Sequence, residues 1–426
     1  MKLVMKKSSL KGTVVIPGSK SHTVRAVAIG SLAQGQSIIR NPLVSDDTLS
    51  AVNCYRALGA KIDTSDEKAW KVIGTDGRLT VLTETIDVGN SGTTLRIAVG
   101  SAALLEQGTS IKFTGDEQIQ SRPIGPLLAS LTDLGAKAEA LKGNGKPPVA
   151  VLGKLVGGKT TIESVTSQYL SSLLLAAPLA EKDTEIEVTL LNEPDYVQMT
   201  LDWLDNQGIE YENDRMRYFK IAGGQRYKAF DSTIPADFSS ATFFLCAGAI
   251  LDADITLTGL DFSDSQPDKA VVKYLRTMGA DISIDKTGVR VKGSKLVGTE
   301  TDVNRTPDAL PAMAVTATFA EGTTKLVNVA QARNKETDRI SCMACELKKM
   351  GANVEELPDG LIIHQSPLRA AQLDGRSDHR IVMALSLAGM AVDGQTCIDT
   401  VEAINVTFPG YVELMTGIGA KMKMID

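Results

Sequence analysis

Two kinds of apolar block alternate along this chain, and both repeat. The first is amphipathic at helical spacing and ends in Gly-Ala or Gly-Ile before a polar run with strand-like alternation: YRALGAKID, LTDLGAKAEA, LDNQGIEYE, LRTMGADISI, LKKMGANVEE and MTGIGAKMKM. The glycines concerned, Gly59, Gly135, Gly208, Gly279, Gly351 and Gly419, fall roughly 70 residues apart, the signature of a repeated supersecondary unit. Each suits the left-handed residue that closes a helix before a strand. The second kind is rich in Ala, Leu, Ser and Thr and almost free of charge, which predicts helices buried on every side. These begin near Ser21, Gly92, Ser167, Ser239, Asp308 and His379. Short β-branched runs such as TIESV, IEVTLL, ITLTGL and TKLVNV lie between the helices and read as strands.

Each repeat therefore predicts strands, one buried helix and one amphipathic helix. Six repeats make an α/β protein of two domains with three repeats each, the helices packed inside a shell of sheets. The halfway point falls near DSTIPADFSS, and no Pro/Gly/Ser-rich linker interrupts the pattern. The expected shape is a compact two-domain body with a cleft.

Composition narrows the function classes. The chain has 426 residues and a formal net charge of −6, which argues against nonspecific binding to nucleic acid or to an acidic membrane. The basic start, MKLVMKKSSLKG, lacks the apolar core of a signal peptide, and no apolar run is long enough for a membrane span. The five cysteines, Cys54, Cys246, Cys342, Cys345 and Cys397, are scattered and odd in number, which suggests core thiols and a reducing cytoplasm. With only His22, His364 and His379 beside them, no metal site is expected.

Against this acidic background, cations gather where helices begin. Pro17-Gly18-Ser19-Lys20-Ser21 and Arg25 open the first buried helix. Gly89-Asn90-Ser91 precede the second, which carries Arg96. Thr166-Ser167-Gln168 open the third, Pro307-Asp308 the fifth, and Ser377-Asp378-His379-Arg380 the sixth. Arg122, in SRPIG, and Lys335-Glu336-Thr337-Asp338-Arg339 open amphipathic helices of the second and fifth repeats. Helix N-termini offer unpaired N–H groups and partial positive charge, so hydroxyls, glycines and cations beside them make phosphate or carboxylate sites. Any one of these residues alone reads as an ordinary cap or a solvated charge. Their recurrence at matching ends of matching elements predicts a cleft for a small substrate with several negative charges. Asp308, Glu336 and Asp378, set among cations, are held ionised and can act as bases. A P-loop is excluded because Ser19, not Gly, precedes Lys20. There is no dinucleotide fingerprint and no nucleophile elbow.

The segments PGSKSHTVRA, GNSGTTLR, TGDEQIQSRPIG, TSQYLSSLLLAAPLA, KETDRISCMACELKKMGA, SDHRIVMALSLAG and EAINVTFPGY occur in the order in which the 5-enolpyruvylshikimate-3-phosphate synthase family carries them, and the chain resembles that family over its whole length. The resemblance implies two inverse α/β domains, each of three βαβαββ repeats. One domain would span 1–15 and 234–426, the inserted one 16–233, with the active site in the interdomain cleft. It implies transfer of the enolpyruvyl group of phosphoenolpyruvate to the 5-hydroxyl of shikimate 3-phosphate by addition and elimination, with release of phosphate. By the same resemblance Lys20, Asp308 and Glu336 do the acid–base work. Ser21, Arg25, Thr166, Ser167, Gln168 and Lys335 match positions that hold shikimate 3-phosphate. Gly92, Arg122, Arg339 and Arg380 match positions that hold phosphoenolpyruvate, and Asn90 joins the substrate-binding set. Asp338 is expected to cap or brace its helix. The implied protein is a cytoplasmic monomer that needs no cofactor or metal and has only small-molecule partners, with no nucleic acid or membrane among them. Val406 stands where many members carry lysine, and Ile97 where proline is common. The related transferase acting on UDP-N-acetylglucosamine fits less well, because the loop GDEQIQSR lacks its cysteine and KETDR is foreign to it.

Overall fold

A computed structural model describes all residues, 1–426. The chain divides into two compact units, Met1–Pro17 with Ala236–Asp426, and Gly18–Pro235. Each unit has its own apolar core.

Six four-stranded sheets account for the strands, three to a unit, and they share one pattern. An outer strand pairs in parallel with its neighbour, and two antiparallel pairings complete the sheet. In one example Thr85–Asp87 runs parallel to Ser110–Thr114, which pairs antiparallel with Val149–Leu152, which pairs antiparallel with Lys137–Ala140. The parallel step requires a crossover, and a buried helix supplies it; here Gly92–Ala102 connects the two parallel strands. The strand–helix–strand–helix–strand–strand order expected from the sequence is thus present.

Three sheets are closed by strands distant in sequence. Ser9–Val15 lies parallel to Asp252–Thr258. Asp231–Thr233, at the end of the Gly18–Pro235 unit, lies parallel to Gln36–Arg40 near its start. Lys2–Lys6 lies between Gln395–Asp399 and Lys421–Ile425. Each unit therefore joins its beginning to its end.

The six charge-poor helices are Lys20–Leu32, Gly92–Ala102, Ser167–Ala176, Phe238–Ile250, Leu310–Thr318 and His379–Ala391, and nearly every residue in them is buried. Their small residues permit close approach. A Cβ added at Gly100 would stand 2.2 Å from Ser172 Oγ on the neighbouring helix. All six glycines that close the amphipathic helices have φ between 68° and 109°, a region that costs other residues energy.

Three local expectations need correction. The fifth buried helix does not begin at Asp308. A single 3-10 turn, Pro307–Ala309, carries that residue, and the α-helix starts at Leu310. KETDR does not lie inside its helix either: only Arg339 belongs to helix Arg339–Lys349. Asp338 is the cap, accepting from Ser341 N at 3.0 Å, while Arg333 Nη1 holds its other oxygen at 2.6 Å. Finally, the cysteines are not all core thiols. Cys54, Cys246 and Cys397 are buried, Cys342 is half-buried, and Cys345 is exposed because it lies on the outer side of its amphipathic helix.

Candidate functional site

In the Gly18–Pro235 unit most candidate side chains are placed by a helix start; Arg122, expected to open its amphipathic helix, instead closes the short helix Glu117–Ser121, before helix Gly125–Asp133 begins. Ser19 caps helix Lys20–Leu32, so Lys20 stands on its first turn. Lys20 Nζ donates to Asp47 Oδ2 at 3.0 Å. Asp47 is itself buried, and its Oδ1 has no hydrogen-bond partner. A buried carboxylate with one oxygen unoccupied is costly unless a cation holds the other, and Lys20 does so.

Ser21 contributes its carbonyl to Arg25 Nη1 at 3.0 Å. The Arg25 guanidinium also donates to Thr200 Oγ1 and Tyr196 O, each at 2.9 Å, and to Ser171 Oγ at 3.4 Å. Burial pulls its pKa down to about 10, an effect that Tyr196 partly offsets. Arg25 thus ties helices Lys20–Leu32, Ser167–Ala176 and Pro194–Gln207 together.

Gly92 opens the second buried helix, where two guanidinium groups converge. A Cβ at Gly92 would lie 2.5 Å from Nη1 of both Arg96 and Arg122. Arg96 donates to Gly92 O and to Pro123 O, each at 3.1 Å. Both arginines are buried, so two cations and a helix N-terminus share one small space. Such a place suits a carboxylate or phosphate. Asn90, just before it, donates to Asp116 Oδ2 and Gln118 Oε1, both at 2.6 Å. Gln168 Nε2 reaches Thr93 Oγ1 at 3.1 Å and so links the second helix start to the third.

In the other unit the candidate residues form one interlocked network. Arg339 is fully buried, and each of its nitrogens meets a carboxylate. Nη1 donates to Asp308 Oδ1 and Nε to Asp378 Oδ2, both at 2.8 Å, and Nη2 holds Glu336. Arg380 Nη2 takes the second oxygen of Asp308 at 2.9 Å. Thr337 Oγ1 adds a hydrogen bond to Asp378 at 3.0 Å. Burial opposes charge on Arg339, but Asp378, Glu336 and Asp308 outweigh it and hold its pKa above the ordinary arginine value. Burial likewise pushes the Asp378 carboxyl up, and Arg339 more than reverses this, leaving it below the usual carboxylate range. Burial drives the neighbouring His379 imidazole down to about 3 despite Asp378. Lys335, half-buried, follows the turn Ala330–Asn334.

Of the sequence expectations, Asp308, Glu336, Arg339 and Arg380 meet in this network. Ser21 and Arg25 meet at one point, and Gly92 and Arg122 at another. Thr166 and Ser167 meet at the third helix start, on a residue outside the expected set: Glu193 Oε2 accepts from Ser167 N, Ser167 Oγ and Thr166 Oγ1 at 3.2, 2.7 and 3.3 Å. Asp47 was not expected either. Both read as helix-start carboxylates in the sequence, in SDDT and NEPD, and each opens the amphipathic helix of its repeat, 27 residues after Lys20 and 26 after Ser167.

Repeated sheets with cations, hydroxyls and carboxylates at their helix starts define an α/β enzyme for small anionic substrates. Known proteins make the class specific. The family model for EPSP synthase (3-phosphoshikimate 1-carboxyvinyltransferase) matches residues 4–415. The 3-phosphoshikimate 1-carboxyvinyltransferase of Acetivibrio thermocellus is 54% identical over 426 residues, covering all of both chains. The protein of the same name from Methanocaldococcus jannaschii is 41% identical over 428 residues, covering 99% of each chain. A solved EPSP synthase from Acinetobacter baumannii superposes with a TM-score of 0.84 at 27% identity, covering 100% of both chains. The chain belongs to the EPSP synthase family. No helix is long and apolar enough to cross a membrane.

Proposed function

We infer that this protein transfers the enolpyruvyl group of phosphoenolpyruvate to the 5-hydroxyl of shikimate 3-phosphate and releases inorganic phosphate. The observation that carries this reading is the Arg339 network, which fixes Asp308 and Glu336 on one guanidinium in a chain matched to the family from end to end. The hydroxyl oxygen attacks C2 of phosphoenolpyruvate as its proton passes to a base, and C3 takes up a proton. The resulting tetrahedral intermediate then loses a proton from C3, and its C–O bond to phosphate breaks. Asp308 serves at the acceptor hydroxyl, Glu336 near C3, and Lys20 between the two substrates. Arg339 holds both carboxylates in place, which sets up the proton transfers before substrate arrives.

Ser21, Arg25, Thr166, Ser167, Gln168 and Lys335 hold the acceptor in this reading. Asn90, Gly92, Arg122, Arg339 and Arg380 serve phosphoenolpyruvate. Micromolar binding needs only about 8 kcal/mol, and charge-assisted hydrogen bonds at roughly 1.5–3 kcal/mol each reach that with a handful of contacts. The reading keeps the expectation that the clusters of both units act on one pair of substrates, in a monomer working in the cytoplasm without a cofactor. Acidic composition and five free thiols support that setting.

The test is phosphate release from phosphoenolpyruvate by purified protein, with and without shikimate 3-phosphate and with no added metal. Release only when both are present is the expected result. A folded protein that binds shikimate 3-phosphate yet releases nothing would overturn the reading.

A further inference from the structure

Glu193 is 2% exposed and lies between strand Thr184–Leu191 and helix Pro194–Gln207, with its backbone in the left-handed region at φ 58°. Its Oε2 takes three donors from the start of helix Ser167–Ala176: Ser167 N, Ser167 Oγ and Thr166 Oγ1. Thr166 caps that helix without a hydrogen bond from its own side chain, so the carboxylate of a different element does the capping. Asn192, next to it, fastens the same segment through Nδ2 to Val165 O at 3.1 Å.

Each hydroxyl has one proton to give, and a backbone N–H has one as well. All three donors therefore point at Glu193. Thr166 and Ser167 are the residues that the proposed function assigns to shikimate 3-phosphate. A phosphate dianion has no proton to share with a carboxylate, so the two anions cannot occupy these donors together. Putting both there would also set like charges side by side at one helix N-terminus.

We propose that Glu193 is an internal competitor for the acceptor's phosphate group: its carboxylate fills the phosphate position in the free protein and must leave those donors when shikimate 3-phosphate binds. Glu193 then sets how strongly the site prefers a phosphorylated ring over an unphosphorylated one. Filling the position keeps buried donors satisfied without ligand and lowers affinity for any phosphate-bearing ligand by the cost of displacement. This inference rests on the proposed function, which assigns shikimate 3-phosphate to Thr166 and Ser167; hydroxyls and an N–H at a helix start suit the phosphate group of that ligand.

Titration calorimetry of the full-length protein tests it, with shikimate 3-phosphate and with shikimate as ligands. Glu193→Gln keeps the size and an acceptor oxygen but removes the charge. Glu193→Gly removes the side chain at a backbone conformation that glycine adopts freely. Both variants are expected to bind shikimate 3-phosphate about tenfold more tightly, the equivalent of losing part of one charge-assisted bond, with little change for shikimate. Affinity that stays the same, or weakens alike for both ligands in both variants, would overturn the proposal and make Glu193 a structural brace. Failure of the proposed function looks different: wild-type protein would then neither bind shikimate 3-phosphate nor release phosphate with it, and this inference would fall too.

Discussion

The two units share one architecture but arrange their polar residues differently. In Gly18–Pro235 the polar groups form separate stations at three helix starts: Lys20 on Asp47, the Arg96–Arg122 pair at Gly92, and Glu193 on Thr166 and Ser167. In the other unit one buried guanidinium, Arg339, joins three carboxylates from three elements. Even equivalent helices differ. Phe238–Ile250 begins with Asp237 capping Ser240 N and carries no cation, although it occupies the same place in its repeat as Lys20–Leu32. The repeat therefore supplies helix starts as sockets, and the residues placed there decide which sockets do chemistry. Stations with charged groups of their own suit ligand holding, because each presents its own set of donors, even where neutral hydrogen bonds such as Gln168 to Thr93 link one start to the next. A shared buried arginine suits proton transfer, because it fixes several carboxylates at once.

The largest effect should come from the network. Asp308→Ala is expected to lower turnover about 10³-fold or more with a modest change in KM, as for loss of a positioned acid–base group. Near-normal steady-state turnover would remove Asp308 from the mechanism. Next comes Arg339→Met, which leaves Asp308, Glu336 and Asp378 without their shared cation. Breaking a buried ion pair from one side typically costs about 3–5 kcal/mol, so urea unfolding should show a loss of that order. Adding Asp378→Asn should recover part of it, because the two changes share one network. Full additivity would mean that the network is only nominal.

A third effect is in acid. His379 is ordinarily protonated near pH 6.5 when unfolded and only near 3 when folded. The unfolded chain thus binds the extra proton first. The stabilisation from the neutral buried imidazole is complete above about pH 6.5 and is lost as pH falls from there toward 3, by at most about 1.4 kcal/mol per pH unit. His379→Asn should flatten that part of the stability–pH curve. An unchanged slope would place acid sensitivity elsewhere.

The smallest effect on stability should come from Gly92→Ala. Its methyl group would meet two guanidinium ends, which can shift, so unfolding free energy should change by less than about 1 kcal/mol. The displaced cations should still raise KM for phosphoenolpyruvate by about tenfold, given how steeply activity depends on placement. An unchanged KM would show that the Arg96–Arg122 station is not the phosphoenolpyruvate site. It would also blunt the contrast between separate stations and a shared network.

Much of this was legible in the sequence because it depends on neighbours along the chain. Gly59, Gly135, Gly208, Gly279, Gly351 and Gly419 mark helix ends through a local backbone requirement, and φ at all six meets it. Charge-free runs such as SQYLSSLLLAAPLA declare their burial by composition, and Asp338 announces a helix start three residues before the N–H it caps. Helix starts rich in hydroxyls and cations pointed to anions for the same local reason. Only the tertiary structure decided which side chains meet. Asp47 reaches Lys20 across 27 residues, Glu193 reaches Ser167 across 26, and Arg339 reaches Asp378 across 39. Within a repeat, parallel strands set the start of the amphipathic helix beside that of the buried helix, as for Ser167 and Glu193, but Asp378 follows a strand of a different sheet from the strand before Arg339, and nothing local in the sequence announces that meeting. Glu336 shows both sides: its place next to Arg339 could be read directly, but the guanidinium that it shares with Asp308 and Asp378 became visible only once three distant segments had folded around one buried charge.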